Sequence, residues 1–125
     1  MISYKFNNKT GIVEVVIKGE NKISDFIEYL ISLCKDEGLP DILKIYSNGT
    51  NGYFAKGVKP DDMYKIYDTT KELLKKHKKV YTAFVISTSL ETAMAELYKE
   101  FSDAENYMFE IFSTKEAAID WLNYF

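Results

Sequence analysis

The sequence predicts an α/β domain: a mixed five-stranded sheet with four helices, in the order β-β-α-β-α-β-α-β-α. Three observations predict it. Short runs of alternating or continuous apolar residues take turns with longer runs whose apolar residues recur at helical spacing. Gly, Pro and Ser/Thr-x-x-Glu signals stand between them, where helices start and stop. The 125 residues, 46% hydrophobic and 15% aromatic, suffice for one core and hardly for two, so residues 1–125 are expected to form a single domain.

Ile2, Tyr4 and Phe6 alternate with Ser3 and Lys5, as a half-buried strand requires. Asn7-Asn8-Lys9-Thr10-Gly11 is a turn cluster in which Gly11 can take a positive φ. A second strand, Ile12 to Lys18, places Val13, Val15 and Ile17 on one face, which gives an opening antiparallel hairpin; Gly19 and Asn21 break it. Ser24 is the expected N-cap of the first helix, with Asp25 answering its positive end. Phe26, Ile27, Leu30, Ile31, Leu33 and Cys34 form that helix's stripe, and Gly38 and Pro40 stop it. Ile42 to Tyr46 is nearly all apolar and is expected to be a central strand.

Ser47 to Lys59 has no period and holds Gly49, Gly52 and Gly57, so a long loop is expected there. Pro60 suits the first position of the second helix. Its inner stripe is Met63, Ile66, Tyr67, Thr70, Leu73, Leu74 and His77, and Lys75, Lys76, Lys78 and Lys79 crowd its end. Val80 to Ile86 is a fourth strand, apolar apart from Thr82. Thr88-Ser89-Leu90-Glu91 matches a capping box, opening a helix with Leu90, Ala93, Met94, Leu97, Tyr98 and Phe101 inward. Tyr107 to Phe112 is a fifth strand. Ser113-Thr114-Lys115-Glu116 is a second capping box, followed by Ala117, Ala118, Trp121, Leu122 and Phe125 on the inner face. Strands joined through helices need right-handed crossovers and run parallel, with helices covering one or both faces.

Composition narrows function. Sixteen basic against nineteen acidic residues give a net charge of −3, so no basic excess exists to displace counterions from nucleic acid. No apolar run nears the roughly 20 residues of a membrane span, and no integral membrane segment is expected. Met1-Ile2-Ser3-Tyr4-Lys5 lacks a signal peptide's apolar stretch. One Cys forms no internal disulfide and fits a reducing compartment, so the cytoplasm is the expected location.

Chemistry-bearing residues are sparse. His77 sits among lysines at a helix end, where cations answer the negative end of the dipole, and no neighbour in sequence orients its ring as a base. Cys34 lies on an apolar stripe and reads as a packing residue. One His and one Cys assemble no soft-ligand metal site within one chain, and no cofactor is expected. Gly52 to Lys59 approaches a phosphate-binding loop, but Lys59 comes one position late and Pro60 replaces the required hydroxyl. Each helix start also carries an acid (Asp25, Asp61 with Asp62, Glu91, Glu116), which answers the positive end that would draw a phosphate. Asp61 and Asp62 are neighbours about 100° apart on a helix and cannot flank one bond. Trp121 is expected in the core.

Ligands in open α/β sheets favour the crevice beyond the carboxyl ends of the strands. Ser87 and Thr88 follow the fourth strand there, and the loop at 47–59 should reach the same edge. Tyr46, Asn48, Asn51, Tyr53, Phe54, Tyr67, Ser87 and Thr88 are therefore the candidate ligand or partner face, suited to a neutral or apolar group. The alternative is that Tyr53 and Phe54 pin a long loop to the body.

The element order, together with the ending Tyr107-Met108-Phe109-Glu110-Ile111-Phe112 and Ser113-Thr114-Lys115-Glu116-Ala117-Ala118-Ile119-Asp120-Trp121-Leu122, resembles the STAS family and its SpoIIAA-like branch, related in fold to the lipid-binding SEC14 group. The resemblance implies a non-enzymatic binding or regulatory module acting by protein contacts around 47–59. Regulatory members carry a phosphorylated Ser at the start of the helix after the third strand. Here Lys56-Gly57-Val58-Lys59-Pro60-Asp61-Asp62 offers neither Ser nor Thr, so that switch does not carry over. The second implied role is a carrier for a small apolar or lipid-like ligand, which requires a cavity of several hundred Å³ on the scale of ordinary ligand pockets, roughly 300–1,000 Å³. Pairing of a second copy on the exposed edge of the first hairpin would give a homodimer.

Overall fold

The alternation at the start of the chain becomes β1 (Ile2–Asn7), paired antiparallel with β2 (Ile12–Asn21), in a computed structural model that describes residues 1–125. Gly11 turns the hairpin with φ 72°, and Asn7 Oδ1 accepts the N–H groups of Lys9 and Thr10. The remaining elements are α1 (Ile23–Lys35), β3 (Ile42–Phe54), α2 (Asp62–Leu74), β4 (Lys79–Val85), α3 (Ser89–Phe101), β5 (Tyr107–Phe112) and α4 (Lys115–Asn123). The order of elements is the expected one. The sheet runs β1-β2-β3-β4-β5, with β3 central and every pair after the hairpin parallel.

Because each parallel strand lies beside its predecessor, uniformly right-handed crossovers put the connecting helices on the same face. There α1, α2 and α3 cover a core containing Val13, Val15, Leu33, Leu43, Leu73 and Val80. Helix α4, which follows β5, packs on the opposite face, where Ala118 and Leu122 close over Ile12, Tyr46, Tyr81 and Ala83.

The expected loop at 47–59 is the main correction. Ser47 to Phe54 continues β3, pairing with β2 as far as Asn21↔Phe54. Gly19 does not end β2: it adopts φ 64° and the ladder continues. Asn21 is fully buried, and its Nδ2 donates to the Lys18 and Gly19 carbonyls at 3.3 and 2.8 Å. The glycines of β3 allow close approach instead of turning the chain. A Cβ at Gly52 would lie 2.6 Å from Ile17 Cγ2, and one at Gly49 would lie 3.0 Å from the Phe84 ring.

Several boundaries and faces also move. Lys22, not Ser24, caps α1, because Asp25 Oδ2 accepts the Lys22 N–H at 2.8 Å. That helix stops at Lys35, ahead of Gly38, where Asp36 Oδ1 takes the Gly38 N–H at 3.0 Å; Leu30 and Leu33 are buried while Ile31 is exposed. Pro60 precedes α2 by two residues and forms part of its lead-in turn. His77 lies beyond the end of α2, with Nδ1 2.8 Å from the Pro40 carbonyl. Strand β4 starts and ends one residue earlier than expected. The inner face of α3 is Glu91, Met94, Ala95 and Tyr98, while Leu90 and Ala93 face outward. Thr114, not Ser113, caps α4, its hydroxyl accepting the Ala117 N–H. Ala117 is exposed, and Phe125, past the helix, stacks on Tyr81 with ring centres 4.1 Å apart.

Candidate functional site

Successive side chains of a strand face opposite sides, and this divides the candidate face. Ser47 points to the α1–α3 side, so its neighbour Tyr46 points across the sheet to α4, where Lys115 Nζ sits 5.6 Å from its ring centre. Burial, with the Glu14 carboxylate nearby, pushes the Tyr46 hydroxyl above its ordinary range. Asn48 borders the same groove as Tyr46, and its Oδ1 accepts the Thr50 N–H and hydroxyl at 3.1 and 2.7 Å. Tyr67 turns its hydroxyl toward the α3–β5 connection, donating to Asp103 and accepting the Ala104 N–H, both at 3.1 Å. That is the amino end of the parallel strands. Tyr53 and Phe54, at the end of β3, and Ser87 and Thr88, after β4, lie at the carboxyl ends of their strands, and Asn51 is exposed two residues before Tyr53.

The helices and the sheet leave a hollow between them, lined from Val80 and Tyr107 near the amino ends of their strands to Phe54 at the carboxyl end of β3. A cavity of about 70 Å³ lies between the sheet and α1, α2 and α3, walled by Phe26, Phe54, Phe84, Ala95 and Phe109. A recess of about 10 Å³ adjoins it, bordered by Gly49, Gly52, Ile86 and the half-exposed Tyr53; Phe26, Phe54, Phe84 and Glu91 line both. The cavity's polar lining is internally bonded on one side: Thr70 Oγ1 and Tyr98 OH are 2.8 Å apart, and Tyr98 OH and Tyr107 OH 2.9 Å. Desolvation by burial pushes Tyr98 up to about 12 and carries Tyr29 and Tyr107 well above the ordinary tyrosine range.

Glu91 stands apart. It is 7% exposed; Oε1 accepts the Thr88 hydroxyl at 2.8 Å, and Oε2 is sealed from solvent with no partner. Neither bond of the expected box is made: Thr88 stands at the N-cap of α3, but its hydroxyl donates to the Glu91 carboxylate and its side chain caps no backbone N–H. Asp62 shows the ordinary arrangement. The Lys59 N–H at 2.8 Å and Lys65 hold its carboxyl below the usual range.

Sequence reasoning missed Glu91 because an acid three residues into a capping pattern has a complete explanation at the surface. Thr82, the polar break in β4, and Thr70, on the inner stripe of α2, were the sequence's signals of polar groups lining the cavity.

The nucleophile and base types lie elsewhere and apart. Burial pushes the Cys34 thiol up, away from the thiolate form, and His77 is held by a backbone carbonyl. No three His, Cys, Asp or Glu side chains converge as a metal would require, and no helix is long and apolar enough to cross a membrane.

No protein-family model and no curated protein matches the chain. Among solved structures it is similar to the anti-sigma factor antagonist SpoIIAA in its unphosphorylated form, with 11% identity, a TM-score of 0.50 and coverage of 98% of each chain. The β-β-α-β-α-β-α-β-α arrangement around one mixed sheet, expected from the element order and the C-terminal motif, is thus the fold of that SpoIIAA structure.

Proposed function

We propose that the protein is a non-enzymatic regulatory binding module of the STAS type, working through protein contacts at the carboxyl end of its sheet. The observation that carries this reading is the exposure of large apolar side chains there. Tyr53, at the end of β3, is 53% exposed, and Leu90, in the first turn of α3, is 60% exposed. Asn51, two residues before Tyr53, and Ser87 and Thr88, just before Leu90, are exposed and polar, the composition of a contact patch with a polar rim. The likeness in fold to an anti-sigma factor antagonist supports contact as the mode of action. Catalysis finds no support from these two residues, since the His77 ring is held by the Pro40 carbonyl and Cys34 packs against the core.

The SEC14-like carrier is the weaker reading. Its cavity is present and lined by Tyr and Phe, but about 70 Å³ is well short of the roughly 300 Å³ at which ligand pockets begin. Asp61 and Asp62 hold the start of α2, so the contacts proposed here operate without phosphorylation at that place.

A photo-crosslinking residue placed at Tyr53, in extract of the cells that make the protein, tests the reading. We expect one discrete protein adduct, lost when Leu90→Ser is added and absent when the crosslinker sits at Tyr124 on the far face. Equal labelling from both positions, or none from Tyr53, overturns it.

A further inference from the structure

Packing and capping account for only one of the two oxygens of Glu91. Oε1 is bonded to Thr88, whereas Oε2 is inaccessible and meets no donor. A carboxylate oxygen in that position is unfavourable, and native interiors supply such atoms with partners. The acids of α1 and α2 reach back to a backbone N–H, each at 2.8 Å; Glu91 instead lines both the cavity and the recess beside Tyr53, so it stands at the neck between them. A water is poorly held at that oxygen, because the recess offers Ile17, Phe26, Phe54, Phe84 and Ile86 where further polar partners would be needed.

The surroundings favour a cation with an apolar body. Phe26, Phe54 and Phe84 border both compartments, and ring faces and a carboxylate attract the same charge. Beyond the neck the cavity is walled mainly by hydrocarbon, which rewards burial of an alkyl chain. We propose that Glu91 and the adjoining cavity bind a compact organic ammonium, with the charged head against Oε2 and a short alkyl tail inside. Size sets the class: about 70 Å³ is available, against the roughly 150 Å³ of a void that admits benzene, which limits the tail to about three carbons. Lipids and nucleotides are excluded by volume. The site does not depend on the contact surface proposed above.

Titration of the isotope-labelled full chain with n-propylammonium chloride, followed by amide NMR shifts, tests this, with propan-1-ol as the neutral counterpart. We expect saturable shifts centred on Phe54, Phe84 and Glu91, and an affinity about tenfold or more higher for the ammonium than for the alcohol. Glu91→Gln should abolish that preference while the alcohol still binds. The comparison of the two probes on the unaltered chain needs no variant, so a misfolded Glu91→Gln leaves the test intact. Equal affinity for both probes overturns the proposal, as do non-saturable shifts spread over the acidic surface or no shifts at all.

Discussion

Tyr98 makes the protein's response to alkali a property of single hydroxyls. Its phenol sits between Thr70 and Tyr107, and burial raises it to about 12. In the unfolded chain the same group ionises near its ordinary value of about 10. The folded state therefore holds this proton more tightly, and the contribution is complete below about pH 10 and lost as pH rises toward about 12. For Tyr98 alone the loss is on the order of 3 kcal/mol, from about 1.4 kcal/mol per unit, and Tyr29 and Tyr107 are raised in the same direction. Urea midpoints should be flat from about pH 7 to about pH 9 and fall steeply by about pH 11.5. A midpoint that stays level through about pH 11.5 would refute it.

At the scale of the element, β3 shows what a sequence reveals and what it conceals. Its first five residues are legible because they are apolar and centrally placed. Its second half is not, because Gly49 and Gly52 remove side chains from the alternation that marks a strand, and glycines more often signal turns. What they serve is proximity to Phe84 and Ile17, a contact between segments that a linear pattern does not contain. The same cause drew the candidate face too wide. Tyr46 and Tyr67 were grouped with Tyr53 on the premise of a loop that could bring them together, whereas a strand fixes Tyr46 on the other face. Helix α3 differs in phase: Leu90 is apolar and outward, Glu91 acidic and inward, so hydrophobic periodicity alone turns the helix by one residue. The hairpin, the fifth strand and the buried stripe of α2 through Leu74 follow simple periods, and the structure matches them. Gly52→Ala should destabilise by about 1–3 kcal/mol, since its Cβ meets the Ile17 carbonyl at 2.9 Å as well as the methyl. Gly38→Ala, whose nearest contact is 3.4 Å, should remain within about 0.5 kcal/mol of the parent. Thermal melts of the two variants side by side decide the matter.

For the whole molecule, the two faces share β3 and β4, so neither core can loosen without the other. Tyr46 and Tyr81 pack toward α4, while their strand neighbours Ile45 and Val80 pack toward α1–α3. Trp121 reports the α4 side, whereas the buried tyrosines lie on both, Tyr46 and Tyr81 toward α4 and Tyr67, Tyr98 and Tyr107 toward α1–α3. Tryptophan emission, tyrosine near-ultraviolet dichroism and far-ultraviolet ellipticity should give one superimposable urea transition. An earlier tryptophan transition would mean that α4 detaches independently.

The sheet's spatial order is the order in which the ribosome makes its strands. Each newly emerged strand after the first finds its neighbour already laid down, and each loop to be closed spans only one helix, which keeps contacts local and the search short. Growth can therefore proceed by accretion during translation, with β5 and α4 arriving last to seal an edge and a face that had stood open until then.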